Sequence, residues 1–537
     1  ARLDQLEPVE REVIERAAVI GREFSRAAVS ALSPSQAETP VAGTLMGLVR
    51  KELLVPETSA GHDDVFRFGH ILIRDAAYDA VPKKIRAQLH EQLARWLEQR
   101  DAPAPDEIVG YHLEQAYFAR SELGQPDEDL RRLADRAAGV LASAGRRALS
   151  RDDLPAGISL LERGAALLVG DQDQRAEILV ELGLARREGG LLEGADSAFA
   201  AAEETPSERL RWRATLERSS LRSYVDTGVH ADELLRIANQ AIDVFEASGD
   251  ELGLARAWLH VAEVHWLRCH CAEMEEALAN ALIHAERAGG RREIAGTLAS
   301  LAPPTLVGPR PVEDAIEVCR DILERGRGSA GVESHANMVL AVLEAMTGRF
   351  DAARRRYQET AGLLEDRGLT TLLASVRMYP GMVELLSGDY AAAERELRLG
   401  YDELAAVGHS AYLSTTAAFL AKPLYELGRF DEALEMTRAS EEAASPDDIA
   451  SHVIWRGTRA KLLARDGDAD AAELAREAVE LVGETDLVNI EADAHADLAE
   501  TLRLLGLEQE AAAPREEALE LYRAKGNLAS AASMRED

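Results

Sequence analysis

Apolar residues recur every three to four positions through most of this chain, which is the pattern of helices that bury one face. Successive helical stretches meet at a turn that has a glycine and, five residues later, an alanine. The clearest copies are Gly348–Ala353, Gly388–Ala393, Gly428–Ala433 and Gly467–Ala472, and their spacing is 39 or 40 residues. Self-similarity on this length scale predicts an α-solenoid of helical hairpins.

The composition of the turn explains how each pair of helices packs. Glycine tolerates the positive φ found where a helix ends, and the alanine lets two helices approach closely. Phe350, Tyr390 and Phe430 are placed to fill the angle between the helices. The turn resembles that of the tetratricopeptide repeat, although the usual period there is about 34 residues. We therefore expect an all-α, right-handed solenoid of about nine or ten longer hairpins from Glu128 to Glu536.

The first hundred residues carry a different pattern. Amphipathic stretches predict helices over 7–20, 24–32 and 39–51, and short extended runs follow at Leu53–Val55 and Val65–Phe68. Three helices followed by a β-hairpin form a winged helix. We expect a small winged-helix domain with its connecting helices over residues 1–104, and the solenoid over residues 105–537.

A winged helix often binds DNA through its third helix. Here that helix has basic residues only at its end, Arg50 and Lys51, and it lacks side chains placed to reach base edges. The formal net charge of the chain is −34, of which the first hundred residues, with 14 Lys and Arg against 15 Asp and Glu, contribute −1. Because such an acidic arm is repelled by phosphate, we expect no nucleic acid partner.

Composition and motifs narrow the functional class further. Three cysteines in 537 residues exclude a disulfide scaffold and favour a reducing, cytoplasmic location. No apolar run is long enough to span a bilayer, so we expect no membrane partner. The sequence has no Gly-x-x-x-x-Gly-Lys-[Ser/Thr] loop, Gly-x-Ser-x-Gly turn or His-Glu-x-x-His helix. We therefore expect this chain to be non-catalytic and without a cofactor of its own, and its start at Ala1, within a helical pattern, suggests part of a larger protein.

Four segments within the first 165 residues resemble one family. They are Ala17–Phe24, Leu48–Leu54, Phe66–Tyr78 and Asp106–Ala116. They are similar to the winged helix that follows the nucleotide-binding domain in STAND signal-transduction ATPases. The closest resemblance is to actinobacterial proteins in which an adenylate or guanylate cyclase domain and an AAA-like ATPase come first. The resemblance implies a partner for this chain in an upstream ATPase domain of the same polypeptide, which would use ATP or ADP and Mg.

In that family a Met-His-Asp motif of the winged helix places a histidine against the phosphate of bound ADP. His70 stands at the matching position, while Gly69 replaces the Met and Ile71 replaces the Asp. The resemblance implies that His70 senses nucleotide in the intact protein, with Arg67 and Arg74 adding positive potential. The alternative is that His70 caps the second wing strand and that the basic residues are solvated.

A basic cluster, Arg218, Arg222 and Tyr224, interrupts the acidic arm. First helices of tetratricopeptide hairpins line the concave face of the solenoid. These residues, with Arg377 and Arg456 on later first helices, are candidates to bind a carboxylate or phosphate of a small-molecule effector or protein partner. The simpler alternative is that the arginines pair with neighbouring acidic residues such as Glu208 and Glu217.

His265 and Cys269 share one helical face, and Cys271 follows two residues later. Together they could supply three ligands for zinc or form a thiol switch. Cysteine at a repeat turn commonly serves as a small apolar residue, so we expect no metal unless these side chains converge.

The function expected from these features is that of a regulatory arm. An effector or partner on the solenoid would shift the upstream ATPase, and through it an adenylate cyclase, between two states. Two alternatives stay open: the sensor arm of a STAND transcription activator, and a plain scaffold for protein–protein interaction. Such activators usually end in a basic DNA reader, whereas residues 528–537 still have the pattern of a repeat helix.

Overall fold

The computed structural model describes residues 3–33, 41–57, 64–100, 104–124, 127–151, 153–168, 170–225, 231–407 and 410–536. A few residues next to the gaps, among them 223–225, are described by their backbone alone. The chain forms two compact units, residues 1–186 with 204–206, and residues 187–203 with 207–537. The boundary expected between residues 104 and 105 therefore lies inside the first unit.

The first unit opens with helices and short strands in alternation. In chain order these are α1 (Pro8–Ile20), β1 (Glu23–Ser25), α2 (Arg26–Ala31), α3 (Val41–Arg50), β2 (Leu54–Glu57) and β3 (Val65–Phe68). The strands form an antiparallel sheet in the order β1-β3-β2. The β2–β3 pair confirms the hairpin predicted from the extended runs at Leu53–Val55 and Val65–Phe68. The second helix starts two residues later than predicted, because Ser25 caps it by accepting the N–H of Ala28 at 3.1 Å. The residues just before this helix form β1, which pairs with β3.

One apolar core joins the sheet to these helices. Ile14, Leu45, Leu48 and Phe68 are almost completely buried in it, and Phe24 packs on Phe68 with 5.5 Å between ring centroids. The period of the apolar residues in α1 and α3 therefore predicts most of the buried positions, although Val9, expected on the same side of α1, is 44% exposed. The core fixes the β2–β3 hairpin and places the start of the next helix beside it.

Six further helices follow: α4 (Ile71–Ala80), α5 (Lys83–Glu98), α6 (Asp106–Ser121), α7 (Glu128–Leu149), α8 (Leu154–Leu167) and α9 (Gln172–Glu188). Two buried histidines connect α5 to α6, with 2.9 Å between Nδ1 of His90 and Nδ1 of His112. The Tyr78 hydroxyl lies 3.0 Å from Nε2 of His90. Burial lowers the pKa of His90 to about 3 and that of His112 to about 4, so both rings are neutral at physiological pH.

The second unit is entirely helical in its described residues. Its helices are α10 (Leu192–Glu203), α11 (Glu208–Val225), α12 (Ala231–Ser248), α13 (Glu251–Leu267), α14 (Cys271–Ala288), α15 (Arg291–Val307), α16 (Val312–Arg325), α17 (Ala330–Met346), α18 (Phe350–Asp366), α19 (Thr370–Val376), α20 (Met378–Ser387), α21 (Tyr390–Val407), α22 (Ser410–Glu426), α23 (Phe430–Ala443), α24 (Ile449–Arg465), α25 (Ala471–Val482), α26 (Val488–Leu504), α27 (Glu508–Lys525) and α28 (Leu528–Glu536). Within the described ranges, no helix has both the length and the apolar character that crossing a bilayer requires.

The repeat turns have the predicted geometry. Gly348, Gly388, Gly428 and Gly467 have φ between +73° and +82°, the left-handed region that glycine enters without strain. Helices α19 and α20 act as one bent first helix. The bend follows from Pro380, which has no N–H to donate to the carbonyl four residues earlier, at Val376, where α19 ends.

The second unit also closes on itself, which the repeat pattern does not predict. The carboxylate of Asp486 accepts the N–H groups of Cys271 and Ala272 at 2.8 and 2.9 Å, and that of Asp447 accepts the N–H of Ala231 at 2.8 Å. The buried ammonium of Lys525 donates to the carbonyls of Thr305, Gly308 and Arg310 at 3.0, 2.7 and 2.6 Å. These contacts join residues 214 to 220 positions apart, so the hairpins complete a superhelical turn around a central space.

Candidate functional site

The closed solenoid surrounds a partly open cavity of about 980 Å³. Residues of α11, α13, α15, α17, α20, α22, α24 and α26 form most of its wall, and α28 lies along one side. These are the first helices of their hairpins, and they are apolar on more than one face; α17, for example, buries 12 of its 17 residues. The volume is at the upper end of the range for small-molecule sites, roughly 300–1,000 Å³.

Much of the wall is apolar and adaptable. Four of the eight methionines of the chain line the cavity, namely Met274, Met346, Met378 and Met382. Aromatic rings join them at Trp266, Tyr379, Tyr412 and Phe419. Unbranched thioethers change shape at low cost and contact aromatic rings favourably, so this wall suits a ligand with an apolar body.

An ion-pair cluster lies where α11 meets α13. Nδ1 of His260 is 2.8 Å from Oε2 of Glu263, and its Nε2 is 3.5 Å from Oε1 of the buried Glu217, which also pairs with Arg256. Burial opposes a charge on His260, but Glu263 and Glu217 outweigh burial and raise its pKa to about 9. His260 is therefore a cation at neutral pH that holds Glu263 at the cavity wall.

A second charged cluster lies on α22, α24 and α26. Nζ of Lys422 is 2.6 Å from Oδ2 of Asp493. Oδ1 of the same carboxylate accepts a hydrogen bond from the hydroxyl of Tyr522 at 2.6 Å. Nζ of Lys461 is 2.7 Å from Oδ1 of Asp497. Both ammonium groups are thus neutralised by carboxylates of α26.

The charges around the cavity are unequal. The basic residues of the wall are His260, His335, Lys422 and Lys461, and the acidic residues are Glu263, Glu426, Asp448, Asp493 and Asp497. Burial lowers the pKa of His335, so that its ring is neutral. With His260 protonated the sum is three positive and five negative charges, or −2. The described wall has no arginine.

The effector residues predicted from the sequence lie elsewhere. Arg218 donates to Asp196 at 2.8 Å and to Glu203 at 2.8 Å, so it is held by acidic residues, although not by the Glu208 and Glu217 of the simpler alternative. Arg222 is exposed and is not part of the cavity wall. The side chain of Tyr224 lies outside the described residues.

The later arginines are also occupied by neighbours. Arg377 is only 9% exposed, and its Nε is 2.8 Å from Oε2 of Glu403. Arg456 stacks on Trp455, 4.3 Å from the ring centroid, and donates to the carbonyl of His452 at 3.0 Å. Effector binding by these arginines remains a prediction, to which the cavity gives no support.

His70 caps α4, because its Nδ1 accepts the N–H of Leu72 at 3.1 Å. Arg67 pairs with Glu57 on the neighbouring strand. Arg74 donates to the carbonyl of Ala18 at 3.1 Å. His70 thus caps a helix and not the strand named in the alternative, and both arginines are bonded to protein groups; the His70 side chain remains exposed. Nucleotide sensing stays a prediction.

The two cysteines of the proposed metal or thiol site serve as packing groups. Cys269 has a positive φ of 60° at the turn before α14, and both it and Cys271 lie in an apolar cluster with residues of α22, α24 and α26. Burial raises the pKa of both thiols, which disfavours the thiolate that binds metal. Among the described residues no three His, Cys, Asp or Glu side chains, including His265, are arranged to hold a metal ion.

The sequence reasoning missed His260, Glu263 and the methionine wall. A signal was present, because α13 places these two charged residues, i and i+3, in a first helix that is otherwise apolar on several faces. Their meaning depends on which faces of the first helices turn inward, and on closure of the solenoid. Neither can be read from one repeat.

Comparison with known proteins places the fold but no family. No family model matches this chain, and no curated protein matches it. A Rap protein in complex with competence and sporulation factor is similar with a TM-score of 0.51 and 13% identity, over 65% of this chain and 98% of that chain.

Two further solved structures show weaker likeness. A STAND protein with a tetratricopeptide repeat sensor, from Pyrococcus horikoshii, has a TM-score of 0.37 and 12% identity, and covers 95% of this chain and 66% of its own. The Cut9–Hcn1 hetero-tetramer of APC/C has a TM-score of 0.46 and 14% identity, over 82% of this chain and 84% of that chain. The fold likeness therefore rests on the Rap protein, whose TM-score is above 0.5, and at 13% identity it shows a helical-repeat fold alone.

Proposed function

We propose that this chain is a non-catalytic sensor module whose solenoid binds an effector inside its central cavity. The observation that carries the proposal is the closure of the second unit around about 980 Å³ of largely apolar space with a few fixed charges. A purely structural solenoid has no need of such a space, since its core lies between the helices. A ligand that contacts several hairpins at once would change the stability of the closed ring.

A variant with a filled cavity tests this proposal. Ser300→Trp places an indole on the cavity wall, whereas Ala279→Trp adds the same group to the exposed face of α14. Thermal denaturation of the full chain is followed with a panel of small organic molecules and short peptides. We expect at least one compound to raise the Tm of the wild type and of Ala279→Trp but not that of Ser300→Trp. Equal shifts in all three proteins would refute binding in the cavity.

The first unit supports a more specific role. Its element order and its resemblance to STAND segments favour a winged helix that relays the solenoid's state to an upstream ATPase, and from there to an adenylate cyclase. In that intact protein, ATP or ADP with Mg would occupy the ATPase domain, and His70 would face the nucleotide. The support is the sequence resemblance together with the exposure of His70.

The relay is tested in the intact polypeptide that this resemblance implies. Cyclic AMP formation is measured with and without residues 106–537, and ADP release is measured with His70→Ala. A rate that changes on deletion supports the relay, and unchanged ADP release in His70→Ala excludes the sensing role. Cyclase activity that ignores the deletion favours a scaffold. Absence of cyclic AMP in both proteins favours a transcriptional output.

A further inference from the structure

Glu263 is the most accessible carboxylate of the His260 cluster. Its side chain, on the wall of the cavity, is 37% exposed, against 1% for Glu217. Both of its hydrogen bonds, from His260 at 2.8 Å and from Ser220 at 3.1 Å, go to Oε2. Oε1 has no hydrogen-bond partner among the described residues.

The carboxylate is also ionised and held in place. Burial opposes ionisation, but the positive charge of His260 outweighs it and keeps the pKa of Glu263 below its ordinary value. The two bonds to Oε2 restrict rotation of the side chain. Oε1 is therefore a preorganised acceptor in a space where a charge interaction is stronger than in water.

The surroundings favour a cation with an apolar body. Tyr412 lies near Glu263, since burial and then the charge of Glu263 raise the pKa of its phenol. Tyr379 lies near Tyr412 in turn, and Met378 precedes it on the same wall. Aromatic faces attract ammonium groups, and thioethers accommodate apolar groups of varied shape.

We propose that the cavity, in the sensor role given above, recognises a protonated amine attached to an apolar body, with the ammonium group on Oε1 of Glu263 and the body against Met378, Tyr379 and Tyr412. This inference rests on the proposed function. It replaces the anionic effector expected from the arginines. The described wall has no arginine, and its two lysines are each paired with an aspartate of α26.

Matched probes separate charge from apolar contact. Phenylbutylamine, phenylbutanol and phenylbutyrate share an apolar body and differ in charge, and their dissociation constants with the full chain are measured by calorimetry. A pentapeptide of apolar residues, with a free or an acetylated N-terminus and an amidated C-terminus, tests a peptide source of the same amine. We expect the charged amines to bind at least about tenfold more tightly than their neutral counterparts, as a charge-assisted hydrogen bond provides.

Variants assign the effect to Glu263. Glu263→Gln keeps a hydrogen-bond acceptor for His260 and Ser220. It should weaken the binding of the charged amines about tenfold and leave the binding of phenylbutanol unchanged. Glu263→Asp keeps the charge next to His260 and withdraws the carboxylate from the cavity. This variant should also weaken the binding of the amines, so that the inference can be tested even if Glu263→Gln does not fold. Glu276→Gln, on the exposed face of α14, is the control. It should change neither the binding of the amines nor that of phenylbutanol.

The outcomes distinguish this inference from the proposed function. The amine specificity is overturned if phenylbutylamine and phenylbutanol bind equally, or if phenylbutyrate binds more tightly. The ligand-binding cavity still stands in that case if Ser300→Trp abolishes the binding. Failure of every probe to bind the wild type overturns the amine specificity, and a broad panel that also fails overturns the cavity's role. If only the small amine binds, and not the peptide, the ligand is a small molecule.

Discussion

The carboxylate of Asp486 caps the helix that begins at Cys271, although 215 positions separate these residues in the chain. It accepts two N–H groups there, at 2.8 and 2.9 Å, and its own N–H is 3.4 Å from the carbonyl of Cys269. A helix start has unpaired N–H groups and a partial positive charge, so a carboxylate stabilises it. In most helices that acceptor is local. Here it comes from the other end of the superhelical turn and closes the cavity.

Replacing Asp486 should therefore loosen the ring. We expect Asp486→Asn to lower the free energy of unfolding by about 1–2 kcal/mol, the usual cost of losing a charged helix cap. Hydrogen exchange should quicken at the start of α14. Asp470→Asn is the matched control, because Asp470 precedes α25 without making a side-chain cap. Equal effects of the two substitutions would contradict a specific role of Asp486 in closure.

The charge on His260 should make part of the stability depend on pH. Its pKa is raised from 6.5 to about 9 on folding, so its contribution is complete below pH 6.5 and is lost as the pH rises to about 9. We expect His260→Gln to cost up to about 3 kcal/mol at pH 6 and much less at pH 10. Denaturant titrations of both proteins at the two pH values test this. An equal loss of unfolding free energy at pH 6 and at pH 10 would show that the charge on His260 does not contribute to stability.

The buried pair His90 and His112 should have the opposite effect in the first unit. Their pKa values are lowered from 6.5 to about 3 and about 4 by burial, so the unfolded chain binds more protons than the folded one in this interval. Stability should fall as the pH drops from about 6.5 towards 4. Replacing both residues with Gln should flatten this slope, measured as denaturant midpoints between pH 4 and pH 7. An unchanged slope would assign the acid sensitivity to other groups.

The cysteines should be unreactive in the folded protein. Burial raises the pKa of the Cys269 and Cys271 thiols, and that of Cys319 to about 11, so little thiolate exists at pH 8. We expect Ellman's reagent to label fewer than one thiol per chain quickly, and all three after denaturation. Rapid labelling of the native protein, or zinc that copurifies in a ratio of one per chain, would revive the metal or thiol hypothesis.

The repeat turns offer a matched pair of glycine substitutions. Gly428→Ala should cost about 1 kcal/mol, because its φ of +73° strains any other residue even though a Cβ there would meet no atom within 4 Å. Gly362→Ala, in the interior of α18 with equal space, should instead stabilise the protein by up to about 1 kcal/mol. Thermal denaturation of the two variants tests the sign. Destabilisation by both would mean that the turn geometry is not the cause.

The sequence alone determined the local architecture. Apolar periodicity and recurring glycines, such as Gly388 and Gly428, gave the hairpins and the solenoid, because helix formation and turn geometry depend on residues close in the chain. The same holds for the β2–β3 hairpin. The strand at Glu23–Ser25 was missed, since a three-residue strand forms only when a partner such as Val65 is already in place.

The tertiary structure decided the candidate site. A small rotation between successive hairpins accumulates into the curvature of the solenoid, and no single repeat encodes its sum. Closure by Asp486 and Lys525 sets which faces of the first helices enclose the cavity. It therefore brings Glu263 and Tyr412 to one wall, and leaves Arg218 paired with acidic residues outside it. Local sequence fixed the helices, and long-range packing fixed the chemistry between them.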